Sequence, residues 1–246
     1  MSDQRVSNPY ATPEPAAGPT TSPSALGVKP DARLAQAFLS QAFLWMFVGL
    51  IISAGVAFFV QSNERLVSFA ADNYFILIIA QLGLVIGIGW GINRISATVA
   101  LGLFFIYAAT LGLTIGLIVS GFTGASVVTA FLSASAMFGA AAVYGSVTQR
   151  SLAGLRGILF MGLIGLIVAS VLNLFLASDG LSWIISIVGV VLFTALTAYD
   201  VQRIQNGELA IATGSMEKAA VIGALHLYLD FVNLFLFMLR LFGGRD

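Results

Sequence analysis

The sequence predicts an all-α integral membrane protein with seven transmembrane helices. Of its 246 residues, 59% are hydrophobic and only 9% are charged, whereas a soluble domain carries roughly 25% charged residues. From Leu39 onward, long apolar runs alternate with short polar breaks, and a helix needs about 20 apolar residues to cross the hydrocarbon core of a bilayer. The 11 basic and 11 acidic residues balance, which indicates no nucleic-acid partner, and the absence of cysteine excludes a thiolate metal site.

The apolar runs define the spans and separate them from the N-terminal segment. Residues 1–30 contain all six prolines of the chain, and this composition predicts a disordered, Pro-rich cytoplasmic tail. Residues 31–246 are predicted to form a single seven-helix domain, in which short connections make successive helices antiparallel neighbours. The predicted spans are 39–60, 74–92, 98–119, 125–146, 155–177, 183–203 and 219–242.

Glycines recur at intervals of four residues in two spans. Gly83, Gly87 and Gly91 form one such row, and Gly112 and Gly116 form another. This spacing favours close helix contacts through faces of small residues. The alternative is that glycine is simply common in membrane helices.

The distribution of lysine and arginine predicts the orientation in the membrane. Cytoplasmic loops carry an excess of these residues near the ends of the spans. The segment before the first span and the even-numbered breaks are basic, whereas the odd-numbered breaks contain only Arg65. The N-terminus is therefore predicted to be cytoplasmic and the C-terminus extracytoplasmic. The basic residues on the predicted cytoplasmic side are Lys29, Arg33, Arg94, Arg150, Arg156, Arg203 and Lys218.

The last two spans each contain one aspartate, Asp200 and Asp230, and the last span also carries a polar stripe. Its members follow one another at intervals of three or four residues, so they share one helix face. A carboxylate at the bilayer centre costs about 2.5 kcal/mol or more and normally faces a partner or water. We therefore expect span 219–242 to be the span most enclosed by other helices, with Asp230 close to Asp200. The stripe consists of Gly223, His226, Asp230, Asn233, Phe237 and Arg240.

Two motifs around these aspartates resemble the Bax inhibitor-1 family, also called the transmembrane BAX-inhibitor-motif family. The first is Thr197-Ala198-Tyr199-Asp200-Val201-Gln202-Arg203-Ile204. The second is Leu227-Tyr228-Leu229-Asp230-Phe231-Val232-Asn233-Leu234-Phe235-Leu236, followed by Leu239-Arg240-Leu241-Phe242-Gly243. The likeness extends over the whole seven-span region and is strongest to the bacterial inner-membrane branch.

The resemblance implies a fold, a mechanism and a transported ion. It implies a bundle with the seventh helix at its centre, wrapped by the other six, and an acid pair between helices six and seven that acts as a pH-dependent latch. It also implies passive calcium leak across the membrane. The pair carries over to Asp200 and Asp230. Two features of some family members are altered here. Gln81 stands where these members have a helix-two carboxylate that faces the arginine equivalent to Arg240. Ile92 stands near the position of a helix-two arginine.

The chemistry of an acid pair supports the latch independently. Two carboxyls a few ångström apart in a low dielectric cannot both ionise cheaply, so they titrate as one coupled system. With one proton they can share a hydrogen bond, and without it they repel each other and attract a cation. Calcium prefers six to eight oxygen ligands, so Asp200, Asp230, Asn233 and Thr197 together with waters would form a weak waypoint. The alternative is a structural pair that only fixes helix register.

His226 and Arg240 are the remaining candidate gating residues. A protonated His226 would act on Asp230 from one turn away, and the alternative is a neutral histidine that donates a hydrogen bond inside the bundle. Arg240 is expected to extend its head group to the outer membrane interface, with a latch through Gln81 as the alternative. We expect no organic cofactor.

Two other functions are compatible with some of these features. An intramembrane aspartyl protease also uses two aspartates that share a proton, but the proline of its Pro-Ala-Leu motif cannot occur after Pro30 and no Gly-x-Gly element precedes Asp230. A single histidine excludes a His-Glu-x-x-His zinc site. The protein is therefore predicted not to be an enzyme. The remaining alternative is a non-transporting membrane regulator that binds a membrane protease or another membrane complex.

Overall fold

The structure, a computed structural model, describes residues 32–244, with side chains from residue 36 onward. Over this part the chain forms nine α-helices and a short 3-10 turn, Ala153–Leu155. The predicted tail at 1–30 lies outside the described residues. The helices are α1 (Ala32–Gln61), α2 (Glu64–Asp72), α3 (Tyr74–Gly91), α4 (Ala97–Val119), α5 (Gly124–Val147), α6 (Arg156–Leu176), α7 (Asp179–Gln205), α8 (Glu208–Thr213) and α9 (Met216–Phe242).

Seven of these helices are long and apolar enough to cross a membrane, which confirms the predicted all-α class and number of spans. They are α1, α3, α4, α5, α6, α7 and α9. The two short helices, α2 and α8, lie in breaks that were not predicted to be helical. Asn63 caps α2 by accepting a hydrogen bond from the Arg65 backbone N–H at 3.0 Å, as asparagine commonly does at a helix N-terminus.

Helix α9 is more enclosed by the rest of the protein than any other span in the described chain. In its most apolar 18-residue window, 78% of residues are buried, whereas the other spans range from 11% to 44%. It packs mainly against α1, α4, α5, α7 and α8, while α3 lies chiefly against α4 and α6 against α7. Its position at the centre of a ring of all six other spans therefore stays a prediction.

The expectation that each short connection makes neighbours of successive spans is wrong at three places. None of the pairs α1 with α3, α4 with α5, and α5 with α6 is among the main packing pairs of the described residues. Helices α4 and α5 both pack against α9, and α5 also packs against α7. In each case the two successive spans pack against a shared third helix, since a loop constrains helix ends but does not choose the partner along the helix. Helices α1 and α3 share α4, and α5 and α6 share α7.

The two glycine rows have different environments. A Cβ added at Gly112 would lie 2.8 Å from the Ser53 carbonyl oxygen, and one at Gly116 would lie 2.7 Å from Val60 Cβ. These two glycines therefore permit the close approach of α4 to α1, as predicted. By contrast, no atom of another element lies within 4 Å of a Cβ built on Gly83, Gly87 or Gly91. For that row the packing prediction is wrong within the described chain.

Candidate functional site

Helices α7 and α9 place the two aspartates inside the bundle. Ser178 caps α7 by accepting a hydrogen bond from the Leu181 N–H, and Ser215 caps α9 in the same way through Lys218. The two helices pack against each other along their length. As a result Asp200 is only 8% exposed and Asp230 only 4% exposed, so both predicted acids are buried in the protein.

Asp200 lies within a short row of charged and titratable side chains. Its Oδ1 lies 4.0 Å from Arg203 Nη1 and 3.6 Å from His226 Nδ1. Arg203 Nε in turn lies 3.7 Å from Glu208 Oε2, at the start of α8. The row therefore runs from the exposed Glu208, through the half-buried Arg203, to the buried carboxyl.

Asp230 is in a different environment from Asp200. Its Oδ2 is buried and has no hydrogen-bond partner among the described residues. Helices α7 and α9, which carry the two carboxyls, pack directly against each other. A buried carboxylate oxygen without a donor is unfavourable, which makes this atom the natural place for a proton or a passing cation.

His226 faces Asp200 on the neighbouring helix, whereas the sequence predicted an effect on Asp230, one turn away in its own helix. Its Nδ1 is buried and makes no hydrogen bond within the described structure, and the 3.6 Å separation from Asp200 Oδ1 is beyond hydrogen-bond length. Protonation of the imidazole would convert this contact into an ion pair. His226 therefore belongs to the same cluster as the two aspartates, through its contact with Asp200.

Asn233 and Thr197, the remaining candidate cation ligands, differ in their hydrogen bonds. Asn233 Nδ2 donates to the Leu229 carbonyl at 2.8 Å, which leaves its amide oxygen available as a ligand. Thr197 Oγ1 donates its hydrogen to the Phe193 carbonyl at 2.8 Å, so only the lone pairs of this oxygen are available to a cation. No group of three or more His, Cys, Asp or Glu side chains is placed to hold a metal ion within residues 36–244.

Arg240 and Gln81 have separate surroundings. Gln81 Nε2 donates to the Thr110 carbonyl at 3.0 Å and to Thr114 Oγ1 at 2.8 Å, both on α4. Arg240 is exposed, and its guanidinium lies 6.0 Å from the centre of the Phe237 ring. The Gln81 amide nitrogen is thus engaged on α4, while Arg240 lies at the far end of α9, as expected for a side chain that reaches an interface.

Sequence reasoning missed Arg203 as a partner of Asp200. The arginine was read as a topological charge and as a member of the first motif, yet the spacing of three residues also places both side chains on one face of α7. Arg203 thus places a cation beside Asp200 from α7 itself. The Asp200-x-x-Arg203 spacing was the signal that could have found it.

Two buried polar clusters near the pair were also missed. Tyr228 and Ser53 share a hydrogen bond of 2.5 Å, and Ser53 Oγ lies 2.7 Å from the Ala108 carbonyl oxygen, so α9, α1 and α4 meet there. Gln202 accepts from the Leu152 N–H at 2.7 Å and donates to the Arg150 carbonyl at 2.9 Å. No local pattern pairs residues this far apart in sequence, so neither cluster could be read from it.

Comparison with known protein families adds an independent observation. The model of the family described as inhibitor of apoptosis-promoting Bax1 matches residues 35–246, nearly the whole of the described chain and both aspartate motifs. The chain belongs to the Bax inhibitor-1 family. The sequence resemblance is thereby confirmed.

Several curated proteins are similar to this Bax inhibitor-1 family member over most of their length. The inner membrane protein YbhL of Escherichia coli is 42% identical over 224 residues, which cover 89% of this chain and 95% of YbhL. An uncharacterized protein of Deinococcus radiodurans is 40% identical, over 85% of this chain and 91% of its own length. One from Borreliella burgdorferi is 39% identical, over 88% of this chain and 96% of its own.

Proposed function

We propose that this Bax inhibitor-1 family protein is a non-enzymatic, pH-sensitive calcium leak channel of the inner membrane, gated by Asp200 and Asp230. The observation that carries the proposal is the burial of both carboxyls on two packed helices, with one oxygen of Asp230 lacking a donor. The calcium specificity follows from the family resemblance, and the inner-membrane location from the similarity to YbhL.

The proposed gate depends on one proton shared by the two aspartates. In the closed state this proton removes the repulsion between two buried carboxylates and links α7 to α9. Loss of the proton leaves two negative charges, which separate the helices or attract a cation. Arg203 lies beside Asp200 and reduces the repulsion, a protonated His226 would do the same, and Glu208 competes for Arg203.

The direction of the pH response follows from proton linkage. The closed state binds the shared proton more tightly than the open state, so the open state releases it. Acid therefore favours closure, and rising pH favours opening. For one linked proton, the open-to-closed ratio changes by at most about tenfold per pH unit. Calcium binds the deprotonated pair, so higher calcium should move the transition to lower pH.

The test is calcium flux into liposomes that contain the purified protein and an enclosed calcium dye, measured between pH 5 and 8. Wild-type flux should rise with pH. Asp200→Asn should abolish this dependence, because a neutral amide does not repel Asp230. Asp230→Asn should abolish it and also weaken calcium binding. Asp72→Asn serves as the matched control, since this aspartate is exposed at the end of α2.

A His226→Gln variant separates the two sensors that the cluster contains. If the pair is the gate, this variant keeps a pH-dependent transition. A transition that persists in both asparagine variants and disappears in His226→Gln would overturn the acid-pair gate. Absence of calcium flux at every pH, in protein shown to be folded and correctly inserted, would instead favour the non-transporting regulator of a membrane protease or other complex.

A further inference from the structure

A cavity of about 620 Å³ lies at the opposite end of α7 from Asp200. Its walls come from the end of α6, the start of α7, the loop between α4 and α5, and the end of α9. The volume falls within the range of about 300 to 1,000 Å³ that is usual for small-ligand sites. None of the aspartate-pair residues lines it, so it is separate from the proposed gate.

Two opposite charges line this cavity without forming an ion pair with each other. They are Asp179 in the first turn of α7 and Arg240 in the last turn of α9. Neither side chain makes an ion pair with any other described residue. The end of α9 is fixed in place, because the Gly244 N–H donates to Ser126 Oγ at 2.9 Å. The cavity therefore presents one anionic and one cationic group.

The polar wall between α6 and α7 offers the Asp179 carboxylate and hydroxyl acceptors, beside the N–H and O–H donors of Asn173, Ser182 and Trp183. Ser170 Oγ donates its hydrogen to the Leu166 carbonyl, and Ser186 Oγ donates to the Ser182 carbonyl. Asn173 Nδ2 donates to Ser182 Oγ at 2.6 Å. The lone pairs of Ser170 remain as acceptors for a ligand, whereas Ser186 is only 1% exposed and is not within its reach. Together with the Asp179 carboxylate, this wall suits a group that carries both a positive charge and N–H donors.

The same cavity has an apolar border that faces the bilayer. Leu174 is 78% exposed, Trp183 60% and Val171 48%, and all three line the cavity from membrane-spanning helices. Tryptophan is enriched at the membrane–water interface. The charged residues lie at helix ends, which is the depth of the lipid head groups. The cavity is thus accessible to a molecule with a polar head and an apolar tail.

From these features we infer that the cavity binds the head group of a phospholipid that carries a phosphate and a primary ammonium, namely phosphatidylethanolamine. Arg240 pairs with the phosphate, as arginine commonly does. The ammonium donates hydrogen bonds to Asp179 and Ser170, and the acyl chains lie along Leu174 and Trp183. A choline head group lacks N–H donors for this wall, and a glycerol head group lacks the cation that would match Asp179.

The test is native mass spectrometry of the detergent-purified full chain, titrated with phosphatidylethanolamine, phosphatidylcholine or phosphatidylglycerol of identical acyl chains. The ethanolamine lipid should bind more tightly than either of the others by about tenfold, because each of them leaves a polar group of the site unpaired. Asp179→Asn should abolish the preference over the choline lipid. Arg240→Gln should weaken binding of all three lipids. The matched control is Arg94→Gln, at the opposite membrane surface.

Water-soluble glycerophosphoethanolamine distinguishes a lipid site from a site for a soluble phosphate compound. It should compete only weakly with the full lipid, because it lacks the apolar contacts. Full competition at equal concentration would show that the ligand is not a lipid and would overturn the inference. Equal binding of the three lipids, or binding unaffected by both Asp179→Asn and Arg240→Gln, would also overturn it.

Discussion

At the scale of single residues, the proposed gate predicts that Arg203 influences how easily the aspartate pair loses its proton. It lies 4.0 Å from Asp200, and its side chain is 22% exposed. The cation stabilises the doubly ionised pair, so Arg203→Gln should make that state less favourable. We predict that the pH of half-maximal calcium flux rises by about one unit in this variant. The measurement is the liposome flux assay over the same pH range.

The conservative variant Arg203→Lys separates charge from packing. It keeps a cation near Asp200, so its midpoint should stay within a few tenths of a pH unit of wild type. Arg94→Gln removes a charge on the same predicted side of the membrane without a recorded contact to the pair. An unchanged midpoint in Arg203→Gln, in protein that still shows pH-dependent flux, would contradict the assigned role of Arg203.

The candidate site was only partly predictable from sequence at this scale. Asp200, Asp230 and His226 could be found because an ionisable residue inside an apolar run is conspicuous. Their partners could not all be found in this way. The Ser53–Tyr228 contact joins residues 175 positions apart, and serine and tyrosine are unremarkable in a membrane helix. Such contacts depend on which helices become neighbours, and local patterns do not encode that.

At the scale of helices, the two glycine rows provide a matched pair for a stability measurement. A Cβ at Gly112 would lie 2.8 Å from a backbone oxygen of α1, which cannot move away cheaply, whereas a Cβ at Gly87 would contact nothing. Gly112→Ala should lower stability by about 1 to 3 kcal/mol through overpacking. Gly87→Ala should leave stability unchanged or raise it by up to about 1 kcal/mol, because alanine is the better helix former.

The readout for these two variants is thermal stability in detergent, followed by fluorescence-detected size-exclusion chromatography. A lower midpoint for Gly112→Ala only is the expected result. A loss of equal size in Gly87→Ala would mean that the α3 row does pack, against a surface that the described chain does not supply. Unchanged stability in Gly112→Ala would show that α1 and α4 can separate without penalty.

The helices themselves were easier to predict than their arrangement. The length and polarity of the apolar runs determine the spans, since an interruption would leave backbone groups unpaired in hydrocarbon. Helix α8 was missed because it is six residues long and bounded by Gly207 and Gly214, both with positive φ, which resembles a loop in sequence. The separation of α4 from α5 was missed because loop length limits the distance between helix ends but does not choose the partner along the helix.

At the scale of the whole molecule, the orientation remains a prediction that rests on arginine and lysine. Seven spans place the two ends of the chain on opposite sides of the membrane, and the basic breaks at 93–97, 147–154 and 204–218 favour the cytoplasm. This orientation puts Arg203 and Glu208 at the cytoplasmic end of the acid pair, and it puts the cavity near Arg240 at the outer surface.

A fluorescent protein fused after Asp246 should therefore be dark, whereas alkaline phosphatase at the same position should be active. The same reporters inserted in the break at 147–154 should give the reverse result, which controls for expression. A fluorescent C-terminal fusion would mean either that the positive charges near that end, including Arg240, dominate the orientation, or that one of the seven helices does not cross the bilayer. The weakest candidate for a full crossing is α3, because at 18 residues it is the shortest of the seven spans.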